Sequence, residues 1–196
     1  MRWTGKSWCV FTFSGSPYKT HLFQSPPWLF PAHLCRALTL ETKMIIEPIG
    51  IIHTPYTTKE ECPIQPACSS DSLGRTEVFE EYEAGLKDID TFSHIYLLYL
   101  FDRADKIELV RATFLDDEPH GIYASRHPCR PNGIGFSVVK LLRRERNILT
   151  LEGIDILDKT PLLDIKPYIP KYDAIVSASE GWTEGKKWRP KPSGRE

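Results

Sequence analysis

The sequence predicts an all-β fold, a barrel or a sandwich with minor helix. Three observations carry this. Short runs rich in Ile, Val, Leu, Phe and Tyr recur along the chain, turn residues separate them at short intervals, and no glycine-rich phosphate loop or βαβ unit interrupts the series. At 196 residues, 41% hydrophobic and 26% charged, the chain has the composition of a soluble globular protein with enough length for one good core.

The elements follow in order. Ile45–Thr54 is an expected strand whose Pro48 marks an edge or bulge, because proline donates no ladder hydrogen bond. Residues 55–71, with Pro63, Pro66, Ser69 and Ser70, form a loop. Arg75–Phe79 is a second strand and Glu80–Leu86 a short helical turn. Thr91–Phe101 is nearly all apolar, too short to span a bilayer, and reads as a buried strand stopped by charge from Asp102 onward. Lys106–Phe114, Gly121–Ser125, Ile134–Arg144 and Ile148–Ile156 complete the series. Asp158-Lys159-Thr160-Pro161 has turn composition.

Charge and cysteine content narrow the function. The net charge of −1 hides a split. Residues 44–180 hold 15 basic and 23 acidic side chains, whereas the last sixteen residues hold five basic and two acidic. A body this acidic does not coat nucleic acid indiscriminately. A local basic face survives, since Gly121–Arg146 carries Arg126, Arg130, Lys140, Arg143, Arg144 and Arg146 against Glu145 alone. Five cysteines, with no CxxC pair and no histidine at zinc spacing, argue against a metal site and a full disulfide framework. Reduced thiols in a cytoplasm fit them, and no apolar run reaches membrane-spanning length.

Residues 1–43 differ in texture, with aromatics scattered among Ser, Pro and Lys at no helical or strand period. They are expected to be a poorly ordered extension, or sequence upstream of a true start at Met44. A barrel body then occupies 44–180, and 181–196 forms a basic, Trp-containing tail that is solvated or contacts RNA.

The most informative stretch is Gly121–Leu142. Two apolar flanks enclose a polar knot, Arg126-His127-Pro128-Cys129-Arg130-Pro131-Asn132-Gly133. The prolines fix φ, and Asn132-Gly133 tolerates φ > 0, so the knot is a stiff connection. Stiffness holds Arg126 and Arg130 in place, which suits an anion or a planar, electron-rich ligand; an ordinary hairpin with solvated arginines is the plain alternative. The second informative block is Glu152–Pro170. Its Asp155, Asp158 and Asp164 lie among Ile and Leu, where an acid is costly unless paired or liganded.

Together SRHPCRPNGIGFSVVKLL, LDKTPLLDIKPYIP, FSHIYLLYLF and IGIIHTPY resemble, in the right order, the signatures of the TsaA-like domain, also called the VirR/YaeB-like or TrmO family. The likeness covers about residues 44–172. It implies a small single β-barrel, usually a homodimer, that binds S-adenosylmethionine and methylates N6 of threonylcarbamoyl-adenosine beside the tRNA anticodon. Carried over residue by residue, the implied cofactor contacts are Pro66, Ala67, Cys68, Asp102, Arg103, Arg126, Phe136, Glu152, Gly153, Ile154 and Asp155. Phe136 and Ile154 would wall an adenine, and Asp102 or Asp155 would hold a ribose hydroxyl or the ammonium. Asp155 is also the candidate general base, and Arg130, Lys140 and Lys166 would meet tRNA phosphates or the modified base's carboxylate. Gly133 stands where the family commonly has proline, which lowers the stiffness expected of the turn. The competing readings are a non-catalytic nucleotide- or RNA-binding module and a methyltransferase with another substrate.

Overall fold

Six antiparallel strands close into a barrel. The computed structural model describes residues 45–64, 71–104, 106–187 and 189. The strands are β1 (Gly50–His53), β2 (Leu73–Val78), β3 (His94–Leu100), β6 (Ile134–Glu145), β7 (Ile148–Glu152) and β8 (Thr160–Pro167), paired around the barrel in the order β1-β2-β7-β6-β3-β8. A separate two-stranded ribbon pairs β4 (Val110–Ala112) with β5 (Pro119–Gly121), and a single-turn helix, α1 (Pro170–Asp173), follows β8.

Period-2 alternation decides which side chains line the barrel. On β3, Ile95, Leu97 and Tyr99 point inward while His94, Tyr96 and Leu98 point out; on β6, Gly135, Ser137, Val139 and Leu141 take the inner positions. Ile52, Val78, Leu149, Leu151 and Leu162 fill the interior from the other strands. Each such fully buried side chain contributes roughly 1.5–3 kcal/mol of transfer free energy. Closure also removes sheet edges, the usual route to strand-mediated association.

Several expectations are corrected. Gly121–Ser125 is not a strand: β5 ends at Gly121 and residues 122–124 form a 3-10 turn. Lys106–Phe114 shortens to the three residues of β4. The apolar stretch ending at Phe101 begins with a 3-10 turn at Ile89–Thr91, and its strand starts only at His94. The expected Asp158–Pro161 turn is smaller than its composition predicts, because Thr160 and Pro161 already belong to β8. Pro161 is tolerated there because its pairing to Ile51 of β1 does not need a donor from every residue.

Residues 153–159, which join β7 to β8, position the site. These two strands are not neighbours, so the connection must pass over one end of the barrel. It is pinned from several sides. Ser72 Oγ donates to the Ile154 carbonyl at 2.8 Å, Thr54 Oγ1 donates to the Ile156 carbonyl at 2.8 Å, and Lys159 N–H donates to the Ile52 carbonyl at 2.8 Å. Ile154 and Ile156 point inward and plug the barrel end. Asp155, between them, turns its carboxyl toward Ser137 of β6.

Candidate functional site

The carboxyl of Asp155 meets the inner face of β6. Ser137 Oγ donates to Asp155 Oδ1 at 2.6 Å, and Tyr99 Oη lies 3.1 Å from Ser137 Oγ. Burial pushes the Asp155 carboxyl up to about 6, while the Ser137 hydrogen bond and the Arg126 charge restrain the shift. Burial together with the Asp155 charge likewise raises Tyr99, so its phenol stays protonated. Tyr99 reaches this position because Gly135 opposite it carries no side chain; a Cβ there would lie inside the tyrosine ring.

Arg126 stands where two surfaces meet. Its charge acts on Asp155 and Tyr99 inside the barrel end. Its guanidinium also lies over the Phe136 ring, 5.4 Å from the centroid, on the outer face of β6. Phe136 is 42% exposed and stacks on Tyr96 at 5.3 Å, with Tyr168 edge-on to Tyr96 at 5.5 Å. An aromatic face flanked by a guanidinium is open beside a buried carboxylate.

The knot takes the turn its residues predict and is braced by several contacts. Asn132 and Gly133 take φ of 67° and 52°, the left-handed turn their types favour. His127 Nδ1 accepts from the Cys129 N–H at 3.1 Å, and desolvation with the nearby Arg111 charge holds the imidazole down at about 4, so it is neutral near pH 7. Arg111, itself paired with Glu108 at 3.2 Å, donates to Cys129 Sγ at 3.3 Å. From the C-terminal side, Trp182 stacks on His120 at 3.7 Å and donates its indole N–H to the Ala124 carbonyl at 2.8 Å. That segment therefore packs against the residues leading into the knot, where a solvated end was expected.

The other expected site residues fall into four groups. Asp102 and Arg103, at the end of β3, pair at 3.1 Å, and Arg103 donates to Thr160 Oγ1 at 2.7 Å, tying the β3 end to the start of β8. Glu152 and Gly153 lead into the connection, with Gly153 at φ 78°. Ile154 departs from expectation: its side chain is fully buried in the core and offers no wall to a ligand. Pro66, Ala67 and Cys68 lie outside the described residues.

The expected phosphate contacts are already engaged. Arg130 donates to the Ser125 and Ile122 carbonyls at 3.3 and 3.4 Å and so braces the knot. Lys140 pairs with Glu152 at 2.9 Å and Lys166 with Asp164 at 2.7 Å, both at the outer surface. Sequence reasoning missed Ser137, Tyr99 and Arg111. Ser137 had a legible signal, a hydroxyl at an inward position of an otherwise apolar alternation; Arg111 had none. A shallow recess lined by His53, Thr54, Leu73, Arg75 and Thr150 holds none of the expected residues. Among the described residues no cluster has metal-ligand character and no helix is long and apolar enough to cross a membrane.

The fold and site define a small closed barrel with a carboxylate–arginine–aromatic group gathered at one end. The chain matches the tRNA-methyltransferase O N-terminal domain over residues 51–174, and it belongs to that family. It is 47% identical over 147 residues to a probable S-adenosyl-L-methionine-binding protein of Pyrococcus abyssi, covering 75% of this chain and 80% of that one. It is 34% identical to the human tRNA (adenine(37)-N6)-methyltransferase over 74% of this chain, which spans only 35% of the human protein. A crystal structure of TrmO from Pseudomonas aeruginosa superposes with a TM-score of 0.59 at 37% identity, over 70% of this chain and 61% of that one.

Proposed function

We propose that this protein is an S-adenosylmethionine-dependent tRNA methyltransferase acting on N6 of the threonylcarbamoylated adenosine beside the anticodon. Family membership supports the class. The observation that carries the site is the convergence of Arg126 and Phe136 with Asp155 at one barrel end. The residues fit the cofactor chemically. The exposed Phe136 face suits an adenine, and the Asp102 and Asp155 carboxylates suit an ammonium or ribose hydroxyls. Glu152, Gly153 and Arg103 border the same end, main-chain atoms of Ile154 replace its buried side chain, and Pro66, Ala67 and Cys68 belong to the same proposed set. When bound, S-adenosylmethionine supplies an electrophilic methyl group.

The chain's own work is alignment, exclusion of water and removal of one proton. The accepting nitrogen is conjugated to a urea-like group and is a poor nucleophile while protonated. A carboxylate whose pKa has been raised to about 6 is a stronger base than an ordinary aspartate and is still mostly ionised at pH 7. Asp155 takes that role. An anticodon loop presents unstacked bases, which lowers the cost of drawing one to the site. Lys140 and Lys166, exposed on the same outer face as Phe136, would meet phosphates by exchanging their present partners.

Loss of the methylated nucleoside from the tRNA of a deletion strain, read by mass spectrometry, is the expected result; an unchanged nucleoside rejects the proposal. A homodimer in the cytoplasm completes the reading, with sedimentation at twice the monomer mass as its check.

A further inference from the structure

We propose that Ser137 and Tyr99 are positioning residues that hold the Asp155 carboxylate ionised and fixed in orientation for proton abstraction, through a one-way chain of buried hydroxyls. The inference rests on the reading of Asp155 as the base and adds how the fold makes that base usable.

The polarity of the chain follows from counting protons. Ionised Asp155 has none to give, so the 2.6 Å contact is Ser137 donating. A serine hydroxyl has a single proton, so Ser137 Oγ must accept at its 3.1 Å contact with Tyr99, and the phenol must donate. Both hydroxyl residues are nearly inaccessible, Ser137 at 3% and Tyr99 at 5%. A buried hydroxyl without a partner is costly, so each is held to this arrangement. Tyr99 is in turn fixed by its packing over Gly135 and edge-on against Phe101 at 5.4 Å. Side-chain oxygens thereby tie the β7–β8 connection to β6 and β3, two strands already paired through their backbones.

Among the described residues, the charged and titratable groups facing this chain are Arg126 from the knot and Cys62 from the loop after β1, which lies near Tyr99. Burial opposes ionisation of Asp155, while Arg126 and Ser137 favour it. Arg126 is exposed and is expected to engage the cofactor. Ser137 is a buried restraint that bound ligand does not need to displace.

The test reads Asp155 directly, by carboxyl carbon NMR titration, alongside the pH profile of methyl transfer to tRNA. In Ser137→Ala the Asp155 midpoint moves up from about 6 by about one unit, the scale of a hydrogen bond to a charged group. Activity then falls about fivefold at pH 6 and recovers above about pH 8.5. Tyr99→Phe, which keeps the ring and removes only the hydroxyl, shifts the midpoint in the same direction by less. Ser137→Thr, which keeps the hydroxyl, restores both readouts. An unmoved midpoint in folded Ser137→Ala and Tyr99→Phe overturns the proposal, and so does an activity loss of equal size at every pH. If the wild-type protein transfers no methyl group to tRNA, the functional reading fails instead, and the titration still decides whether the hydroxyl chain governs Asp155.

Discussion

Replacing Asp155 with asparagine should make the protein more stable and less active. In the folded state the carboxyl sits at about 6, raised from an ordinary value of 3.8. Two units correspond to a ceiling of about 3 kcal/mol that the ionised form costs the fold at neutral pH. The side chain retains some solvent contact, so about 1–2 kcal/mol is expected. The substituted amide would keep an oxygen to accept from Ser137 and would carry no charge. The sign depends on pH. As pH falls through about 6 toward 4, folded Asp155 takes up a proton that the unfolded chain does not, so wild-type stability gains from this group. His127 does the opposite over nearly the same range. Its folded value of about 4 lies below the ordinary 6.5, so the unfolded chain binds the proton first and stability is lost as pH falls. The two contributions largely mask each other in the wild type, and the difference between wild type and Asp155→Asn isolates the carboxyl. Urea unfolding of both proteins from pH 5 to pH 8 should show the variant ahead at pH 8, with about half that gap left at pH 5. A gap that stays flat with pH, or a variant less stable at pH 8, would refute the claim that the carboxylate is held at an energetic cost. Methyl transfer by the variant should fall by about a hundredfold or more.

Arg126→Ala should weaken S-adenosylmethionine binding about tenfold in calorimetry while leaving urea stability within about 1 kcal/mol, since the side chain is exposed and its cation–π contact is worth roughly 0.5–1 kcal/mol; normal binding contradicts its assignment. Gly133→Pro should destabilise by more than about 1 kcal/mol, because φ here is 52° and the Gly133 N–H donates to the Arg130 carbonyl at 3.2 Å. An unchanged unfolding midpoint would show that the turn relaxes freely. Gly135→Ala should cost about 1–3 kcal/mol and displace the Tyr99 ring, visible as a change in near-ultraviolet circular dichroism; an unaltered spectrum would show that the ring is not held by this contact. Trp182→Ala should speed amide exchange in the segment 120–126, since it removes the His120 stack and the bond to the Ala124 carbonyl; unchanged exchange would show that the C-terminal segment does not restrain the knot.

The strands that alternate cleanly were legible from the chain alone. Ile134–Arg144 was expected and β6 runs over Ile134–Glu145, and the Glu80–Leu86 turn has the bounds read from its residues. So was the left-handed Asn132-Gly133 turn, because it depends on residues close in sequence. Local composition misled where tertiary contacts set the outcome. Gly121–Ser125 has strand composition, but only Gly121 pairs, with Val110 of β4, and Arg130 and Trp182 take up the carbonyls of Ile122 and Ala124 beyond it. The position of Asp155 against Ser137 was likewise beyond the sequence. It depends on the route of the β7–β8 connection, whose hydrogen-bond partners lie about a hundred residues away at Thr54 and 82 residues away at Ser72.

The sequence by itself determined the class of fold, the family and the left-handed turn of the arginine knot, since alternation, turn chemistry and ordered motifs are properties of short stretches. Only the tertiary structure decided that Arg130 braces the knot, that Ile154 is a plug, and that two buried hydroxyls stand behind Asp155. Those outcomes turn on which side chains closure of the barrel brings within about 3 Å of one another, and no local pattern specifies that distance.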